Sequence, residues 1–321
     1  MIDVIIPAFN AHETIEKTLL SILIQSYKDK VCVYIVDDKS DNDYSKIVNK
    51  FKDYLNIKLL RLKTNKGPAE ARNYGLKHSK NDYIIFIDSD DVFYNHYSIE
   101  ILYKNIIKNN YDLIVSSFIE EINKQKYITH ENTKIWNHGK IYKREFLTKH
   151  NITFLNISTN EDLYFNFLIF MLEPRVKYIN ELTYVWKNNP SSITRKNNHE
   201  YNYTAIKSYN KCICETVYAL EKRNAKKENI ANVSFFGLLQ IYYTYLSYSK
   251  QNNKPVINEI YKYTKQNIDI YYKYQKYLKN ENKNHIISEE LQKYVNSNLS
   301  TYFLPDKTFQ EFIKEVEQYE E

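Results

Sequence analysis

The sequence has 321 residues, of which 43% are hydrophobic, 26% charged and 15% aromatic. This composition is that of a globular protein with one large domain or two of moderate size, and it excludes collagen-like and charge-driven disordered chains. The net charge of +6 is small for this length and is not gathered into one basic stretch, so we expect no nucleic-acid partner.

The cysteines and the first residues indicate the cellular compartment in which the protein is expected. Cys212 and Cys214 are too close in sequence for an ordinary disulfide, and none of the three cysteines has zinc-site spacing. The chain enters an apolar segment at Ile2 without the charged start of a signal peptide, and no apolar run reaches the ~18 residues of a membrane span. We therefore expect a cytoplasmic protein, with peripheral contact to the inner face of the membrane as an alternative.

Apolar segments and amphipathic segments alternate over the first 120 residues. Strands are predicted at 4–6, 31–36, 57–62, 83–87 and 112–118, with helices from about 12, around 47–54, at 68–79 and at about 97–109. This order predicts a mostly parallel α/β sheet, whose ligands bind beyond the carboxyl ends of the strands. Only four glycines occur, so neither the dinucleotide fingerprint nor the phosphate-binding loop of nucleotide hydrolases can be assembled.

The later part of the chain has a different pattern. A helix is predicted at 161–172, and from about residue 200 the sequence becomes helical and rich in tyrosine, lysine and asparagine. The spacing of the tyrosines favours packed amphipathic faces over a base-stacking surface. We predict a boundary near residue 200, with a helical region at 201–321 that contacts the acceptor, a membrane surface or a second copy of the chain.

Acidic residues directly follow two of the predicted strands. Asp37 and Asp38 come after strand 31–36, and the segment Asp88–Asp91 comes after strand 83–87. Because these strands end at the same edge of the sheet, the carboxylates repel one another unless a cation or hydrogen-bond donors compensate. Carboxylate oxygens suit Mg²⁺ or Mn²⁺ bound to a diphosphate. Taken alone, each cluster is equally well explained by a helix cap or a turn.

Four segments resemble, in order and spacing, the motifs of family-2 glycosyltransferases with the A-type fold: Val4–Asn10, Val36–Ser40, Asn65–Asn73 and Asp88–Asp91, which contains an Asp-x-Asp motif. The resemblance covers residues 1–120 and extends more loosely to 195, and the last third lies outside it. It implies a Rossmann-like A-type catalytic domain at 1–200, followed by the helical region at 201–321. It resembles the bacterial or phage members that add a single sugar, because the Gln-x-x-Arg-Trp motif of processive members is absent.

The resemblance implies a chemistry and a set of residues for it. A hexosyl or N-acetylhexosaminyl group would pass, with inversion, from a nucleoside-diphosphate sugar, expected to be UDP-linked, to a hydroxyl acceptor on a glycan or lipid-linked glycan. Asp38 would bond the uracil edge, Asp88 would approach the ribose or the metal, and Asp90 with Asp91 would hold Mn²⁺ or Mg²⁺. The residues implied to bind the nucleotide sugar are Pro7, Ala8, Asn10, Asp38, Arg72, Asp88, Ser89 and Asp90.

An inverting transfer also needs a base for the proton of the acceptor hydroxyl. The pair Glu161-Asp162 matches the Glu-Asp pair that supplies this base in similar enzymes, which points to Asp162, with Glu161 as the fallback. The alternative is that these acids, or Asn160, only cap the predicted helix. For Arg72 the alternative is a salt bridge to Asp37 or Asp38.

Two further segments resemble parts of the family's acceptor and diphosphate sites. The segment Trp136–Tyr142 resembles the stretch that borders the acceptor site, although His138 and Gly139 depart from the usual pattern of this stretch. His138 is favoured as a structural residue. The segment that contains Trp186, Ser191, Ser192 and Arg195 resembles the flexible segment that closes over the diphosphate in relatives, and an ordinary surface loop around Pro190 is the equally favoured alternative.

Two other functions remain open from the sequence. One is a non-catalytic protein that binds a sugar nucleotide and presents its tyrosine-rich region to a partner. The other is nucleotidyl transfer, which usually brings a glycine-rich start after the first strand, unlike Pro7–Asn10.

Overall fold

The computed structural model describes residues 1–189, 199–249, 254–278 and 309–320. The chain divides into two compact units. The first comprises Met1–Asn156 and Glu161–Arg195, and the second comprises Ile157–Asn160 and Lys196–Glu321.

The first unit contains a sheet and six helices over its described residues. Its strands are β1 (Ile2–Ala8), β2 (Val31–Asp37), β3 (Asn56–Arg61), β4 (Tyr83–Phe86), β5 (Val92–Phe93), β6 (Leu113–Asn123), β7 (Lys126–His130), β8 (Lys140–Lys143) and β9 (Val176–Trp186). Its helices are α1 (Ile15–Leu23), α2 (Ser45–Phe51), α3 (Pro68–His78), α4 (Ser98–Lys108), α5 (Arg144–Lys149) and α6 (Glu161–Met171). The strands and helices predicted up to residue 118, and the helix predicted at 161–172, are confirmed within a few residues.

The strands form one mixed sheet in the order β3-β2-β1-β4-β8-β6-β9-β5, with β7 paired to β6. The first four strands pair in parallel, as the alternation of strands and helices predicted. Beyond them, β8 runs antiparallel to β4 and β6, while β9 runs parallel to β6. The sheet is therefore parallel over its first four strands and mixed beyond them, where β8 runs antiparallel to both of its neighbours and a tight hairpin pairs β7 with β6.

The core explains why the first two strands are almost entirely apolar. All seven residues of β1 and all seven of β2 are buried, as expected for strands covered on both faces. Helix α1 contributes its apolar stripe to this core, with Ile15, Leu19 and Ile22 fully buried.

Helix α3 lies unusually close to the sheet at Gly75. A Cβ atom at this position would lie only 2.5 Å from Cγ2 of Ile5 and 3.1 Å from Cγ2 of Val36. Glycine therefore lets α3 pack against β1 and β2. Since Arg72 lies one helical turn before Gly75, this close packing also sets the position of the Arg72 side chain at the carboxyl edge of the sheet.

The second unit is helical, as predicted, over the residues that the structure describes. It contains α7 (His199–Lys222), α8 (Lys227–Ser249), α9 (Lys254–Tyr274) and α10 (Phe309–Gln318), with a 3₁₀ turn at Gln275–Tyr277. Several tyrosines face the interior of this unit, in line with the expectation of packed faces: Tyr242, Tyr245, Tyr271 and Tyr274. Within the described helices of both units, none is long and apolar enough to cross a membrane.

Candidate active site

The acidic segment Asp88–Asp91 continues from β4 and is anchored through its last residue. The carboxylate of Asp91 is buried and accepts hydrogen bonds from the hydroxyl of Tyr184 and, at 2.8 Å, from the main-chain N–H of Lys187. The hydroxyl of Thr18 donates to the Asp91 carbonyl at 2.7 Å. Burial, together with the neighbouring carboxylates, raises the pKa of Asp91 well above its usual value.

Asp88, Asp91 and His138 form a cluster with the chemistry of a metal site. One ligand atom from each residue lies within 4.8 Å of the others, and Nε2 of His138 is 3.9 Å from Oδ2 of both aspartates. His138 is 5% exposed and stacks on Tyr184, and within the described residues its Nδ1 is buried without a hydrogen-bond partner. Burial lowers the pKa of His138, which favours the neutral imidazole that binds metals. Two carboxylates and an imidazole fit a divalent cation such as Mn²⁺.

This cluster differs from the metal ligands predicted from the sequence. Asp91 belongs to it, but Asp90 does not, and Oδ2 of Asp90 instead accepts a hydrogen bond from Nδ2 of Asn189 at 2.7 Å. His138 was favoured as a structural residue because a single histidine shows no partner in the sequence. The signal in the sequence was the neighbouring Gly139, because glycine readily adopts the φ of +64° that the chain has beside His138.

Arg72 connects the acidic segment to α6. Its Nη2 donates to Oδ1 of Asp88 at 2.7 Å, while its Nη1 lies 2.8 Å from Oε1 of Glu161 and 3.4 Å from Oδ1 of Asp162. Burial alone would lower the pKa of Arg72, but the three carboxylates raise it well above its usual value. Against the effect of burial, Arg72 and His138 hold the pKa of Asp88 below its usual range. One guanidinium therefore serves three carboxylates.

The aspartates that end β2 have other partners. Oδ2 of Asp37 pairs with Nη1 of Arg61 at 2.6 Å, and the Asp38 carboxylate accepts the main-chain N–H groups of Lys66 and Gly67 at 2.8 and 2.7 Å. The salt bridge from Arg72 to either aspartate is thus not among the described contacts. Asp38 holds the segment that leads into α3, and its contact with a base stays a prediction.

Asp162 lies in the first turn of α6, where the helix dipole favours a negative charge. Nδ2 of Asn137 donates to its Oδ1 at 2.5 Å. Burial raises the pKa of Asp162 to about 7; Arg72 opposes this shift, and Glu161 and Asp88 add to it. A carboxylate with this pKa is suited to accept a proton near neutral pH.

The residues predicted to line the base pocket lie at the ends of β1 and β2. Pro7 and Ala8 are buried at the end of β1, whereas Asn10 is exposed. The Asn10 and Asp41 segments are joined by two hydrogen bonds of 3.0 Å, from Nδ2 of Asn10 to Oδ2 of Asp41 and from the Asp41 main-chain N–H back to Oδ1 of Asn10. Ser89 is partly exposed in the acidic segment. Of the segment predicted to close over the diphosphate, Ser191, Ser192 and Arg195 lie outside the described residues.

Residues 3–160 match the family model described as glycosyl transferase family 2. These residues belong to this family. The chain is 37% identical over 119 residues to the poly(ribitol-phosphate) beta-N-acetylglucosaminyltransferase TarP of Staphylococcus aureus, a match that covers 36% of each chain. It spans 20% to 38% of the lengths of the first five curated relatives that it matches.

Solved structures support the A-type glycosyltransferase fold. The S. aureus TarS 1–349 structure in complex with UDP-GlcNAc superposes with a TM-score of 0.66 at 18% identity, covering 84% of this chain and 83% of that chain. The mannosyltransferase PcManGT from Pyrobaculum calidifontis, in complex with GDP-Man and Mn²⁺, superposes with a TM-score of 0.52 at 18% identity, covering 68% and 64%. The expectation of an A-type fold followed by a helical region is confirmed.

Proposed function

We propose that this chain is a metal-dependent, inverting glycosyltransferase that moves one sugar from a UDP-sugar to a hydroxyl group of a glycan. The observation that carries the proposal is the Arg72 contact, through which Asp88 of the acidic segment and Asp162 of α6 share one guanidinium. The N-acetylglucosaminyltransferase activity of TarP supports a nucleotide-sugar donor, and the UDP-GlcNAc in the TarS structure favours UDP.

On the donor side, Asp88, Asp91 and His138 are proposed to hold a divalent cation. An imidazole among the ligands favours Mn²⁺ over Mg²⁺, and PcManGT was solved with Mn²⁺. Such a cation, when bound, would neutralise negative charge on the departing diphosphate. Arg72 keeps Asp88 ionised by lowering its pKa, so that this carboxylate is ready to bind a cation. Asp90, the ligand implied by the resemblance, is a further candidate.

On the acceptor side, Asp162 is proposed as the general base. The acceptor oxygen attacks the anomeric carbon from the face opposite the diphosphate, the bond from that carbon to the diphosphate breaks, and the hydroxyl proton passes to the carboxylate. The pKa of about 7 favours Asp162 for this task. Glu161 is the second candidate, because its Oε1 is held by Arg72 at 2.8 Å.

The nucleotide is proposed to bind beside the ends of β1 and β2. Pro7, Ala8, Asn10 and Asp38 lie at this edge of the sheet, and the bonds between Asn10 and Asp41 join the two loops there. The helical region after residue 200 is proposed to contact the acceptor, a membrane surface or a second copy of the chain.

The test measures release of UDP from UDP-GlcNAc, UDP-glucose and UDP-galactose by the full chain. We expect turnover with Mn²⁺ that a chelator abolishes and added Mn²⁺ restores. Replacing Asp162→Asn is expected to lower kcat about 10²- to 10⁴-fold, as for loss of a general base, while UDP binding measured by calorimetry is retained.

Three results would contradict parts of this proposal. Turnover without a divalent cation would contradict the proposed metal dependence. Wild-type turnover by Asp162→Asn would contradict the role of Asp162 as the general base. UDP binding without turnover of any of the three donors would favour the non-catalytic sugar-nucleotide-binding protein.

A further inference from the structure

Asn137 is a buried side chain that bonds directly to the proposed base. It lies in the segment between β7 and β8 and is 3% exposed. Its Nδ2 donates to Oδ1 of Asp162 at 2.5 Å, and its main-chain N–H lies 3.4 Å from Oδ2 of the same carboxylate. The sequence assigned no role to Asn137 itself.

Main-chain carbonyl groups determine the orientation of the Asn137 amide, that is, which side carries Oδ1 and which carries Nδ2. Nδ2 of the fully buried Asn166 lies 2.9 Å from the carbonyl oxygens of Ile135 and Asp162, and 2.9 Å from Oδ1 of Asn137. Because carbonyl oxygens only accept hydrogen bonds, Asn166 must turn its Nδ2 toward them and therefore toward Asn137. The atom of Asn137 that faces Asn166 must then be its oxygen.

Tyr142 reinforces this orientation. Its hydroxyl is buried and lies 3.1 Å from Oδ1 of Asn137 and 3.0 Å from Oδ1 of Asn166. The phenolic proton suits either amide oxygen. With its oxygen held on this side, Asn137 can present only its Nδ2 to Asp162.

The two oxygens of Asp162 therefore differ. Oδ1 accepts the bond from Asn137 and lies 3.4 Å from Nη1 of Arg72, whereas within the described residues Oδ2 has only the longer contact with the Asn137 main-chain N–H. We infer that Asn137 is a positioning residue, which holds Oδ1 and leaves Oδ2 to take the proton of the acceptor hydroxyl. This inference rests on the proposed function, because it requires Asp162 to be the base.

Other charged groups also face Asp162. In addition to burial, Arg72 from α3, Glu161 from α6 and Asp88 after β4 act on its pKa, and Lys140 of β8 is close enough for Asp162 to raise the lysine pKa against burial. All four groups are unchanged in the Asn137 variants below. A change in the pH profile of these variants therefore reports on the bond from Asn137.

The test measures UDP release by the full chain with Mn²⁺ over a range of pH, with UDP-GlcNAc, UDP-glucose and UDP-galactose as donors. Asn137→Ala is expected to lower kcat roughly 10- to 100-fold with little change in KM for the donor, because the base loses its orientation. The acid limb of the pH profile is expected to move to higher pH, because the ionised carboxylate loses a donor that favours it.

A second variant keeps the test decisive if Asn137→Ala fails to fold. Asn137→Asp is nearly isosteric and places another carboxylate against Asp162, so the acid limb is expected to move further upward. The matched control is Asn81→Ala, which removes another bond from an asparagine amide to an aspartate. Nδ2 of Asn81 donates to Oδ1 of Asp3 at 2.7 Å at the opposite edge of the sheet, so its loss is expected to leave kcat and the acid limb unchanged.

The outcomes separate this inference from the proposed function. A wild-type kcat and acid limb in folded Asn137 variants, with Asp162→Asn inactive, would overturn the positioning role and leave the base in place. A lower kcat without any shift of the acid limb would also overturn it, since a purely structural effect has that signature. Wild-type turnover by Asp162→Asn would overturn the proposed base.

Discussion

The two edges of the sheet in the first unit use buried aspartates differently. At the amino edge, the fully buried Asp3 accepts main-chain N–H bonds from Lys80 and Asn81 at 2.8 Å and the Asn81 side-chain bond at 2.7 Å. At the carboxyl edge, three carboxylates share the single guanidinium of Arg72.

The difference separates a structural acid from a functional one. Main-chain donors satisfy Asp3, which ties the segment before β4 to β1, and its oxygens have no need of a ligand. At the carboxyl edge three carboxylates share one positive charge, and the raised pKa of Asp91, caused by burial and by its acidic neighbours, reflects this excess of negative charge. The candidate site is therefore distinguished by its uncompensated negative charge, and the count of acidic residues matters less.

Replacing Arg72, whose guanidinium is shared by three carboxylates, should have the largest effect on activity and stability. Arg72→Met leaves three carboxylates without their common partner, so we expect UDP release to fall by at least ~10²-fold. The free energy of unfolding, measured in urea, is expected to fall by about 3–5 kcal/mol. The control is Arg144→Met at the amino edge, where Nε of Arg144 donates to the Asn81 carbonyl at 2.8 Å. Equal loss of UDP release in both variants would contradict the difference between the edges.

A smaller effect distinguishes the two candidate sets of metal ligands. His138→Gln removes the imidazole of the Asp88 and Asp91 cluster, and we expect Mn²⁺ affinity, measured by calorimetry, to fall roughly 10- to 100-fold. Asp90→Asn is the matched comparison, because Asp90 lies in the same acidic segment but outside that cluster. If only Asp90→Asn weakens Mn²⁺ binding, Asp90 is the ligand, as the resemblance implies, and His138 does not bind the metal.

The features that could be predicted from the sequence are those encoded locally. Apolar runs with helical segments between them indicated the parallel strands, and the aspartates at strand ends indicated the edge at which they gather. Helix α6 was predicted at 161–172 and observed at Glu161–Met171, because the acids at its start and the apolar run after them are contiguous.

The features that could not be predicted depend on partners distant in sequence. The register of β9 on β6 is set by pairing across the sheet, and β5 is only two residues long. His138 and Asn137 meet Asp91 and Asp162 only after the turn before β8 is pressed against β6, where a Cβ atom at Gly139 would lie 2.6 Å from Oγ of Ser116.

The smallest expected effects concern stability, and they differ in sign between the two edges. Asp3→Asn weakens a charged acceptor of main-chain donors, so we expect the free energy of unfolding to fall by about 1–3 kcal/mol with UDP release unchanged. Asp162→Asn should instead raise stability. Because burial raises the pKa of Asp162 to about 7, above the ~3.9 of an unfolded aspartate, the folded state binds more protons between these values and loses stability as the pH rises through them.

Urea unfolding at about pH 5 and about pH 8 checks both signs. The gain from Asp162→Asn over the wild type is expected to be smaller at the lower pH and larger at the higher, because the wild type has lost only the first part of this stability at about pH 5 and all of it at about pH 8. Asp3→Asn should be less stable than the wild type at both values. A destabilised Asp162→Asn at the higher pH would mean that Arg72 outweighs burial, and that the carboxylate at this edge is as well satisfied as Asp3.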